Sequence, residues 1–528
     1  MKRSAFRILS TFLVVLLIVL VQFPVYANKT SLITTNNSNS YITDYACSGV
    51  NDNVQFQEAL NALPSSGGQI TIGPGTYNFA EPIFRAIDNV IIEGAGVTTI
   101  LKSLGSSSII SAGSQTNWVF RDFKIDAGGI DIKSATKWIE DNVTIGSTYY
   151  TYRSSNSFQP PSQTLFNVSP VGSNDQTQIQ NAISSGHNNL LLSAGIWDIK
   201  GNIYIPSNTK MNGMGNTTIL NFSSSRISIS DASNVEIGNF EMTGTITPDA
   251  GIDISASNSD QSNFFVHDIT SEALGGSIFN LYVNSTGHSN RTISNVEFVK
   301  CSVNNPDGFG FIGNGEGDMP SLTNINYYKC QVTNAGIANF RINDYVTDYD
   351  LVEYANLSLK YNTMIDCCGN GSWESIFHYE VAPIKIGCVM IQCSANGGGQ
   401  KPNAVYGDGF LFGPGVTIYT SSATNNAHTG FDYVNGSNHD AGAEDDKNSI
   451  NCVAYGNGDI VMTQTKYIYT IDTSYSPPST VNVTVPQATS MPNPVWSWRM
   501  IDLFIIMLIV VAIILVVILI IIIRKIHK

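Results

Sequence analysis

The sequence predicts an all-β protein folded as a parallel β-helix, in which short strands wind into stacked rungs. Three observations predict it: an Asn-led spacing of apolar residues recurs, a Gly-led strand follows it, and cysteines fall at one position of successive repeats. A length of 528 residues would otherwise suggest three or four ordinary domains. A repeat with this period overrides that estimate.

The first repeated element is an Asn followed by apolar residues one, three, six and eight positions later. Alternation by two indicates a strand with one buried face, and the step of three indicates a corner before a second short strand. The amides would suit ladders that run from rung to rung. The leading residues are Asn117, Asn234, Asn263, Asn295 and Asn324, with Ser271 in the last apolar slot of the third copy.

The second repeated element is a Gly followed by an apolar–x–apolar strand, led by Gly251, Gly308, Gly409 and Gly430. Glycine at this point would permit a corner with positive φ. The two elements together describe one rung. Between residues 234 and 458 we predict about eight rungs, which at about 4.8 Å each make a rod on the order of 40 Å long.

Cysteine placement supports this register. Cys301, Cys330, Cys367 and Cys393 each stand three residues before an Asn or a Thr, so we expect them at one inward position of four consecutive rungs. An even cysteine count in a secreted chain suggests disulfides, but the rung spacing slightly exceeds the usual Cβ separation of a bridge. We therefore favour a buried column of free thiols over disulfides.

The N-terminus has the pattern of a secretory signal over residues 1–27. Lys2, Arg3 and Arg7 precede an apolar run from Ile8 to Leu20, and small or apolar residues follow at the expected cleavage site. An uncleaved N-terminal anchor is the alternative.

The C-terminus has the pattern of a single-pass membrane anchor, with a transmembrane helix over 501–523. Leu503 to Ile523 contains no polar side chain and is long enough to cross the hydrocarbon core. The basic tail 524–528 follows, which favours a cytoplasmic C-terminus. Residues 464–500 are rich in Pro, Ser and Thr and predict an extended stalk. The expected location is the cell membrane, with the N-terminal ectodomain outside.

Two stretches of the body begin alike, which indicates an internal duplication. Residues 51–60 correspond to 174–183, residues 73–77 to 193–197, and residues 94–101 to 213–220. Each copy opens with a short amphipathic helix, and Asp52 is placed to cap the first. Such a helix would cover the open end of a coil.

We predict a first β-helix unit over 47–145, a linker over 146–169 and a main β-helix over 170–463. The two units lie either side by side or as one continuous rod with a lateral helix; we favour two units.

This order of a cap helix, a Pro-Gly-Thr-Tyr turn and a Gly-x-Gly turn before Thr-x-Ile-Leu resembles the start of pectate-lyase-like proteins. The resemblance covers roughly residues 47–130 and 170–460. It implies a right-handed parallel β-helix with short N-terminal cap helices, the pectin-lyase-like fold. It also implies a protein that processes acidic or neutral polysaccharide in a groove along one sheet.

The active-site motifs of that superfamily are mostly missing. Residues 305–308, Asn-Pro-Asp-Gly, partly match the first motif of galacturonan hydrolases, but Gly-His-Gly and Arg-Ile-Lys are absent. The Arg-x-Pro-x-x-Arg element of the lyases is absent as well. The resemblance is therefore specific for fold and weak for activity.

Candidate site residues gather on the sheet that the Gly-led strands would form. Asp253 and Asp432 of this sheet fall between inward apolar residues, so we expect their side chains to face outward. Hydrolysis needs two carboxylates, and elimination or epimerisation needs a base and a cation that neutralises the uronate. Equivalent positions of neighbouring rungs converge on one strip, where the alternative for each is a solvated turn or strand residue. The candidate catalytic residues are Asp307, Arg341, Glu374, His378, Asp408 and Asp432.

An acidic loop offers oxygen ligands for Ca²⁺, which takes six to eight of them. It contains Asp344, Asp348 and Asp350. A solvated loop is the alternative, and we expect no other cofactor.

The expected function is that of a cell-surface β-helix that acts on or binds polysaccharide, as a lyase, a glycoside hydrolase or an epimerase. The alternative is a non-catalytic surface, adhesion or envelope protein. A net charge of −14 argues against a nucleic-acid partner.

Overall fold

A computed structural model gives the structure of the protein. It describes residues 31–35, 45–105, 108–156, 162–247, 250–273, 275–286, 290–317, 320–342, 357–379, 384–400, 407–413, 415–419, 421–427, 429–433, 449–450, 452–455 and 469–470. Every one of these residues belongs to the first of two units, Met1–Thr473.

The first stack of rungs contains one helix, α1 (Asn53–Ala62), and twelve strands. The strands are β1 (Ser31–Thr35), β2 (Tyr45–Cys47), β3 (Gly68–Ile72), β4 (Gly75–Phe79), β5 (Ile83–Phe84), β6 (Val90–Glu93), β7 (Thr99–Ser103), β8 (Ile110–Ser111), β9 (Trp118–Ala127), β10 (Ile130–Asp131), β11 (Trp138–Ile145) and β12 (Thr148–Ser154). Nine of them form one sheet, along β12-β11-β9-β6-β3-β1-β2 with β4 and β7 beside this path. A three-stranded sheet, β10-β8-β5, lies apart. The pairings are parallel except that of β11 with β12, which is antiparallel.

The second stack is longer and opens with α2 (Gln176–Ser184). Twenty-two strands form its larger sheet: β13 (Phe166–Val168), β14 (Asn189–Leu192), β15 (Gly195–Ile199), β17 (Thr209–Asn212), β18 (Thr218–Ser225), β20 (Val235–Ile246), β22 (Gln261–Ser271), β24 (Thr292–Val299), β25 (Ser302–Asn304), β27 (Ser321–Tyr328), β28 (Gln331–Ala335), β30 (Ser358–Lys360), β31 (Thr363–Ile365), β32 (Cys368–Ser372), β34 (Ile384–Ile386), β35 (Cys388–Ile391), β36 (Ser394–Asn396), β38 (Val416–Tyr419), β39 (Ser422–Thr424), β41 (Ser449–Ile450), β42 (Val453–Tyr455) and β43 (Tyr469–Thr470).

The other sheet of the second stack, called the nine-stranded sheet below, has the order β16-β19-β21-β23-β26-β29-β33-β37-β40. Its strands are β16 (Ile203–Tyr204), β19 (Ile227–Ser230), β21 (Ala250–Ala256), β23 (Ser277–Ser285), β26 (Phe311–Gly317), β29 (Phe340–Ile342), β33 (Phe377–Tyr379), β37 (Phe410–Phe412) and β40 (Phe431–Tyr433). The predicted parallel β-helix is confirmed, because each strand pairs in parallel with the equivalent strand of the next rung.

Inward side chains stack from rung to rung and form the core. Phenylalanines of six successive rungs lie ring on ring, with centroids 4.7–5.0 Å apart. Such parallel stacks add to the apolar area that each ring buries. The six residues are Phe279, Phe311, Phe340, Phe377, Phe410 and Phe431.

The Asn-led corners have a different backbone from the Gly-led ones. All five leading asparagines have positive φ, between 53° and 64°, and Asn324 donates its side-chain amide to Asn295 at 2.8 Å in the rung before. The positive φ expected at the Gly-led corners is wrong, since none of the four leading glycines is in that region. At Gly409 a Cβ would lie 2.7 Å from the carbonyl oxygen of Gly430, so the glycine is needed for close approach of two turns.

The cysteine column occupies one inward position, as predicted. The backbone N–H of Gln331 donates to the carbonyl of Cys301, and that of Cys368 donates to Cys330, one rung on in each case. Cys301, Cys330, Cys367 and Cys393 are buried, and all eight cysteines of the chain are free thiols.

The cap helices are held differently from what the sequence predicts. The Asp52 side chain makes no hydrogen bond within α1. It accepts instead from the backbone N–H of Gly49 (2.9 Å) and of Asn78 (2.7 Å), so it ties the helix entry to the strand of the next rung. Asp175 does the same in the second stack, with Val171 (2.6 Å) and Asp198 (2.9 Å) as donors.

The two stacks contact each other through the outward faces of their larger sheets. Seven side chains form an apolar patch between them: Ile91, Val119 and Ile139 of the first stack with Val299, Tyr328, Ile365 and Ile391 of the second. Around it, Asp141 accepts from the ammonium groups of Lys300 and Lys329, each at 2.6 Å. Arg121 pairs with Glu93 at 3.1 Å and with Asp366 of the second stack.

The predicted signal and transmembrane segments lie outside the described residues. Among the residues that the structure does describe, no helix is both long and apolar enough to cross a membrane.

Candidate functional site

The nine-stranded sheet presents one face to the core and one outward, and all six predicted catalytic residues belong to its strands or to the turns before them. Arg341 and His378 are register partners in adjacent rungs, and Leu411 and then Asp432 follow in the same column. Arg341 and His378 are therefore neighbours, whereas an apolar residue separates His378 from Asp432. Asp307 lies in an exposed turn, where it accepts from the backbone N–H of Gly275 at 2.9 Å.

The Arg341–His378 pair lies on an apolar background. The guanidinium carbon of Arg341 is 5.2 Å from the ring centroid of Phe309, a cation–π distance. Phe309 itself packs against Ile312 and Ala338. His378 is 3% exposed, close to the 4% of Ser228 and the 7% of Asp253 on the same sheet.

Asp408 and Glu374 belong to the turns that precede the strands. Asp408 is buried and accepts hydrogen bonds from the Thr429 hydroxyl (2.7 Å), the Thr429 backbone N–H (3.0 Å) and the Ser375 hydroxyl (3.2 Å). Asp408 therefore fastens one turn to the next. The backbone of Glu374 bonds to Ile337 on one side and to Gly399 on the other, which makes it part of the same stack of turns.

The predicted calcium ligands, Asp344, Asp348 and Asp350, lie outside the described residues. In the part of the chain that is described, no group of three or more His, Cys, Asp or Glu side chains is arranged to hold a metal ion.

A continuous row of polar residues lies at the other end of the sheet, in its first four rungs. We call this row and the polar residues beside it the strip. Tyr204, Ser228, Asp253 and Asn280 are register partners in successive strands and form what we call the long column. Their neighbours along each strand, such as Ile252 and Ile254, are buried in the core. The column therefore faces outward by strand alternation. Tyr204, at its head, is 58% exposed.

Asp253 is the most firmly held residue of the long column. It accepts a hydrogen bond from the Asn280 amide at 2.8 Å and lies 3.7 Å from the Arg226 guanidinium. Its exposed fraction is 7%. These two partners fix the carboxylate in one orientation while Arg226 offsets part of its charge.

Tyr282 and Glu316 extend the strip along the strands. The Tyr282 hydroxyl donates to the Glu316 carboxylate at 2.5 Å. Burial, Glu316 and Asp253 together raise the pKa of Tyr282 above its usual value, so the phenol remains protonated at neutral pH. Tyr282 is thus a fixed donor and Glu316 an acceptor.

Two amide oxygens of the strip have no hydrogen-bond partner among the described residues. They are Asn280 Oδ1 and Asn314 Oδ1, both shielded from solvent. Asn280 uses its N–H₂ group on Asp253, and its oxygen keeps an unused acceptor position. The strip therefore combines an exposed aromatic ring, two carboxylates and two amide oxygens on one sheet face.

Sequence reasoning placed Asp253 outward but did not group it with its neighbours. The signal was present, because Asp253 and Tyr204 each follow an inward isoleucine in a repeat position. The register between rungs was needed to see that these residues form one column.

No protein-family model matches the sequence, and no curated protein matches it. Among solved structures, a protein of Geobacillus virus E2, ORF18, is similar at 14% identity and a TM-score of 0.23, over 72% of this chain and 59% of that one. The A-module of the mannuronan C-5 epimerase AlgE4 of Azotobacter vinelandii is similar at 12% identity and a TM-score of 0.19, over 71% and 98% of the two chains. A GH87 α-1,3-glucanase catalytic unit of Streptomyces thermodiastaticus is similar at 12% identity and a TM-score of 0.23, over 80% and 65%.

This chain thus spans less than two thirds of the length of the virus protein and of the glucanase unit. The fold itself follows from the strand register of this chain: it is a parallel β-helix protein with two stacks of rungs.

Proposed function

We propose that the outward face of the nine-stranded sheet binds a neutral polysaccharide along the long column. The observation that carries this proposal is the column itself, an exposed tyrosine followed by Ser228, Asp253 and Asn280 in register. Equivalent positions recur at about 4.8 Å, so an extended polymer could contact one polar residue after another. The ring of Tyr204 offers a surface on which the apolar face of a sugar can stack.

The polar groups of the strip suit hydroxyl donors. The Asp253 and Glu316 carboxylates are hydrogen-bond acceptors. Burying a sugar hydroxyl against such oxygens satisfies both partners, which favours a ligand rich in hydroxyl groups. Arg226 and Asp253 offset each other, so the strip gains no excess positive charge.

The charge of the chain favours a neutral polymer over an acidic one. A net charge of −14 generates a field that repels polyanions at long range. A uronate polymer would also place its carboxylates near Asp253 and Glu316. Among the polysaccharides that the sequence suggested, the neutral class is therefore the better match.

Binding is favoured over cleavage by the spacing of the two carboxylates. Glycoside hydrolysis requires carboxyl groups about 5–9.5 Å apart. Asp253 pairs with Asn280 in the next rung, and Asn280 pairs with Ile312 in the rung after that. Glu316 lies four residues further along the strand of Ile312. Ideal strand spacings then put the Cα atoms of Asp253 and Glu316 about 16 Å apart, so the two carboxyl groups approach the catalytic range only where both side chains extend toward each other. The predicted terminal segments would display such a binding protein at the cell surface.

The test is a binding measurement on soluble neutral and acidic polysaccharides with three single variants. Asp253→Asn and Tyr204→Ala should each weaken binding of the neutral polymer by about tenfold or more. Glu241→Gln, an outward glutamate of the larger sheet, is the matched control and should bind as the wild type does. Unchanged binding by Asp253→Asn and Tyr204→Ala, or tighter binding of the acidic polymer, would refute the proposal.

A further inference from the structure

The first stack contains a shorter version of the same column. In its three-stranded sheet, Phe84 pairs with Ser111, and Ser111 pairs with Asp131. The second stack begins with Tyr204, Ser228 and Asp253 in the same order. We propose that Phe84, Ser111 and Asp131, called the short column, form a second binding site for the same class of neutral glycan.

The two columns are held at their heads by the same device. In the first stack, the side-chain amide of Gln57 on the cap helix donates to the Phe84 carbonyl and accepts from the Phe84 backbone N–H, both at 3.0 Å. In the second stack, Gln180 makes the same pair of bonds with Tyr204, at 3.4 Å and 3.0 Å. The aromatic residue therefore has the same position relative to its cap helix in both stacks.

The short column is exposed where a ligand would need it. Phe84 is 48% exposed, although a phenylalanine is usually buried. Gly113 lies under its ring, and a Cβ there would stand 2.7 Å from Cε2 of Phe84. Ser111 is half-buried and Asp131 is exposed. An open aromatic ring beside a hydroxyl and a carboxylate is the combination proposed to bind sugar on the second stack.

The differences between the columns predict how the two sites differ. Three strands span two rung steps, about 10 Å, so the short column fits two or three sugar units. Phe84 lacks the hydroxyl of Tyr204, and among the described residues no fourth strand joins the three-stranded sheet to supply a counterpart of Asn280. We therefore infer a shorter and weaker site, which makes the molecule bivalent and raises its avidity for a polymer.

This inference rests on the proposed function, and stoichiometry tests it separately. Cellohexaose, laminarihexaose and mannohexaose are titrated into the purified full-length protein by calorimetry. For the hexaose that binds, we expect two equivalents. Phe84→Ala with Asp131→Asn should remove the weaker one and leave the other, and Tyr204→Ala with Asp253→Asn should do the reverse.

Phe166→Ala, which removes an exposed phenylalanine outside both columns, is the control and should keep two equivalents. Cooperative unfolding of each variant establishes that its fold is intact. A single equivalent that survives Phe84→Ala with Asp131→Asn overturns the second site and leaves the proposed function standing. Loss of an equivalent in Phe166→Ala also overturns the assignment. No binding of any of the three hexaoses overturns both proposals.

Discussion

The thiols of Cys301, Cys330, Cys367 and Cys393 share one inward position in four rungs, and each donates to a main-chain carbonyl. The sulfur–oxygen distances are 3.3–3.7 Å. Burial raises the pKa of the Cys301 and Cys367 thiols well above its usual value, whereas hydrogen bonds from these two neighbours lower the pKa of Cys330 against the effect of burial. All four side chains are nonetheless buried. The column therefore behaves as a row of small apolar groups rather than as reactive thiolates.

This predicts slow alkylation of the four thiols in the native protein and fast alkylation after denaturation. Cys368, which is only half-buried, is the internal control and should react before them. Cys330→Asp should cost several kcal/mol of stability, because it buries a charge among apolar side chains. Mass spectrometry that finds disulfide-linked peptides between members of the column would contradict this account.

The direction in which a side chain points could be predicted for strand residues, because they alternate between the two faces. It could not be predicted for turn residues. Asp253 was expected to face outward and does, between two buried isoleucines. Asp408 was grouped with the candidates because it lies in the turn just before a strand of this sheet, yet it is buried under Thr429 and Ser375. Which way a turn side chain points depends on the next rung, and that neighbour is not adjacent in sequence.

At the scale of elements, the contact between the two stacks depends on a few buried polar groups. Glu297 of the second stack accepts from the Ser154 hydroxyl of the first at 2.5 Å. Lys137 contacts Asn326 at 3.2 Å and Thr363 at 3.0 Å. Burial raises the pKa of Glu297 to about 7 and lowers that of Lys137 to about 8. Tyr152, Ser154, Asn326 and Lys137 are the groups around the Glu297 carboxyl.

The raised pKa of Glu297 predicts that its contribution to stability falls as the pH rises. A carboxyl that holds its proton more tightly in the folded state favours folding below the unfolded pKa, and this contribution is lost as the pH passes 7. Glu297→Gln should therefore be more stable than the wild type at pH 8, by up to about 3 kcal/mol, and not at pH 5. Urea unfolding at both pH values measures the difference.

His267 also makes stability depend on pH, because its hydrogen bonds to Asp268 and Glu236 raise its pKa against the opposing effect of burial. This contribution is the same in the variant and the wild type, so it cancels when the two are compared. Glu241→Gln controls for the substitution itself. Equal stability differences at pH 5 and pH 8 would mean that Glu297 is solvated and that the stacks do not pack as described.

The pairing of the two stacks could not have been derived from the sequence. The duplication indicated two coil starts, and both cap helices are present. The contact residues, such as Arg121, Asp141 and Tyr328, are outward residues of ordinary strands. They become partners only because the fold brings together residues that are far apart in the chain.

At the scale of the whole molecule, the terminal segments predict how the protein is attached to the cell. A chain that ends near Ser490 and keeps residues 1–27 should appear in the medium, since it lacks the apolar segment Leu503 to Ile523. Fractionation of cells and medium measures this, with the full-length chain as the control. Retention of the shortened chain in the membrane fraction would show that the N-terminal segment is itself an anchor.

Hydroxyl-radical footprinting with and without a bound neutral polysaccharide tests most directly whether glycan lies along the long column. We predict that oxidation of Tyr204 and Tyr282 falls when the polymer is bound, because it covers the first rungs of the nine-stranded sheet. Tyr149 and Tyr361, which are exposed elsewhere, should be oxidised as before. Full oxidation of Tyr204 and Tyr282 in a protein saturated with polymer would contradict the proposal and place the binding face elsewhere.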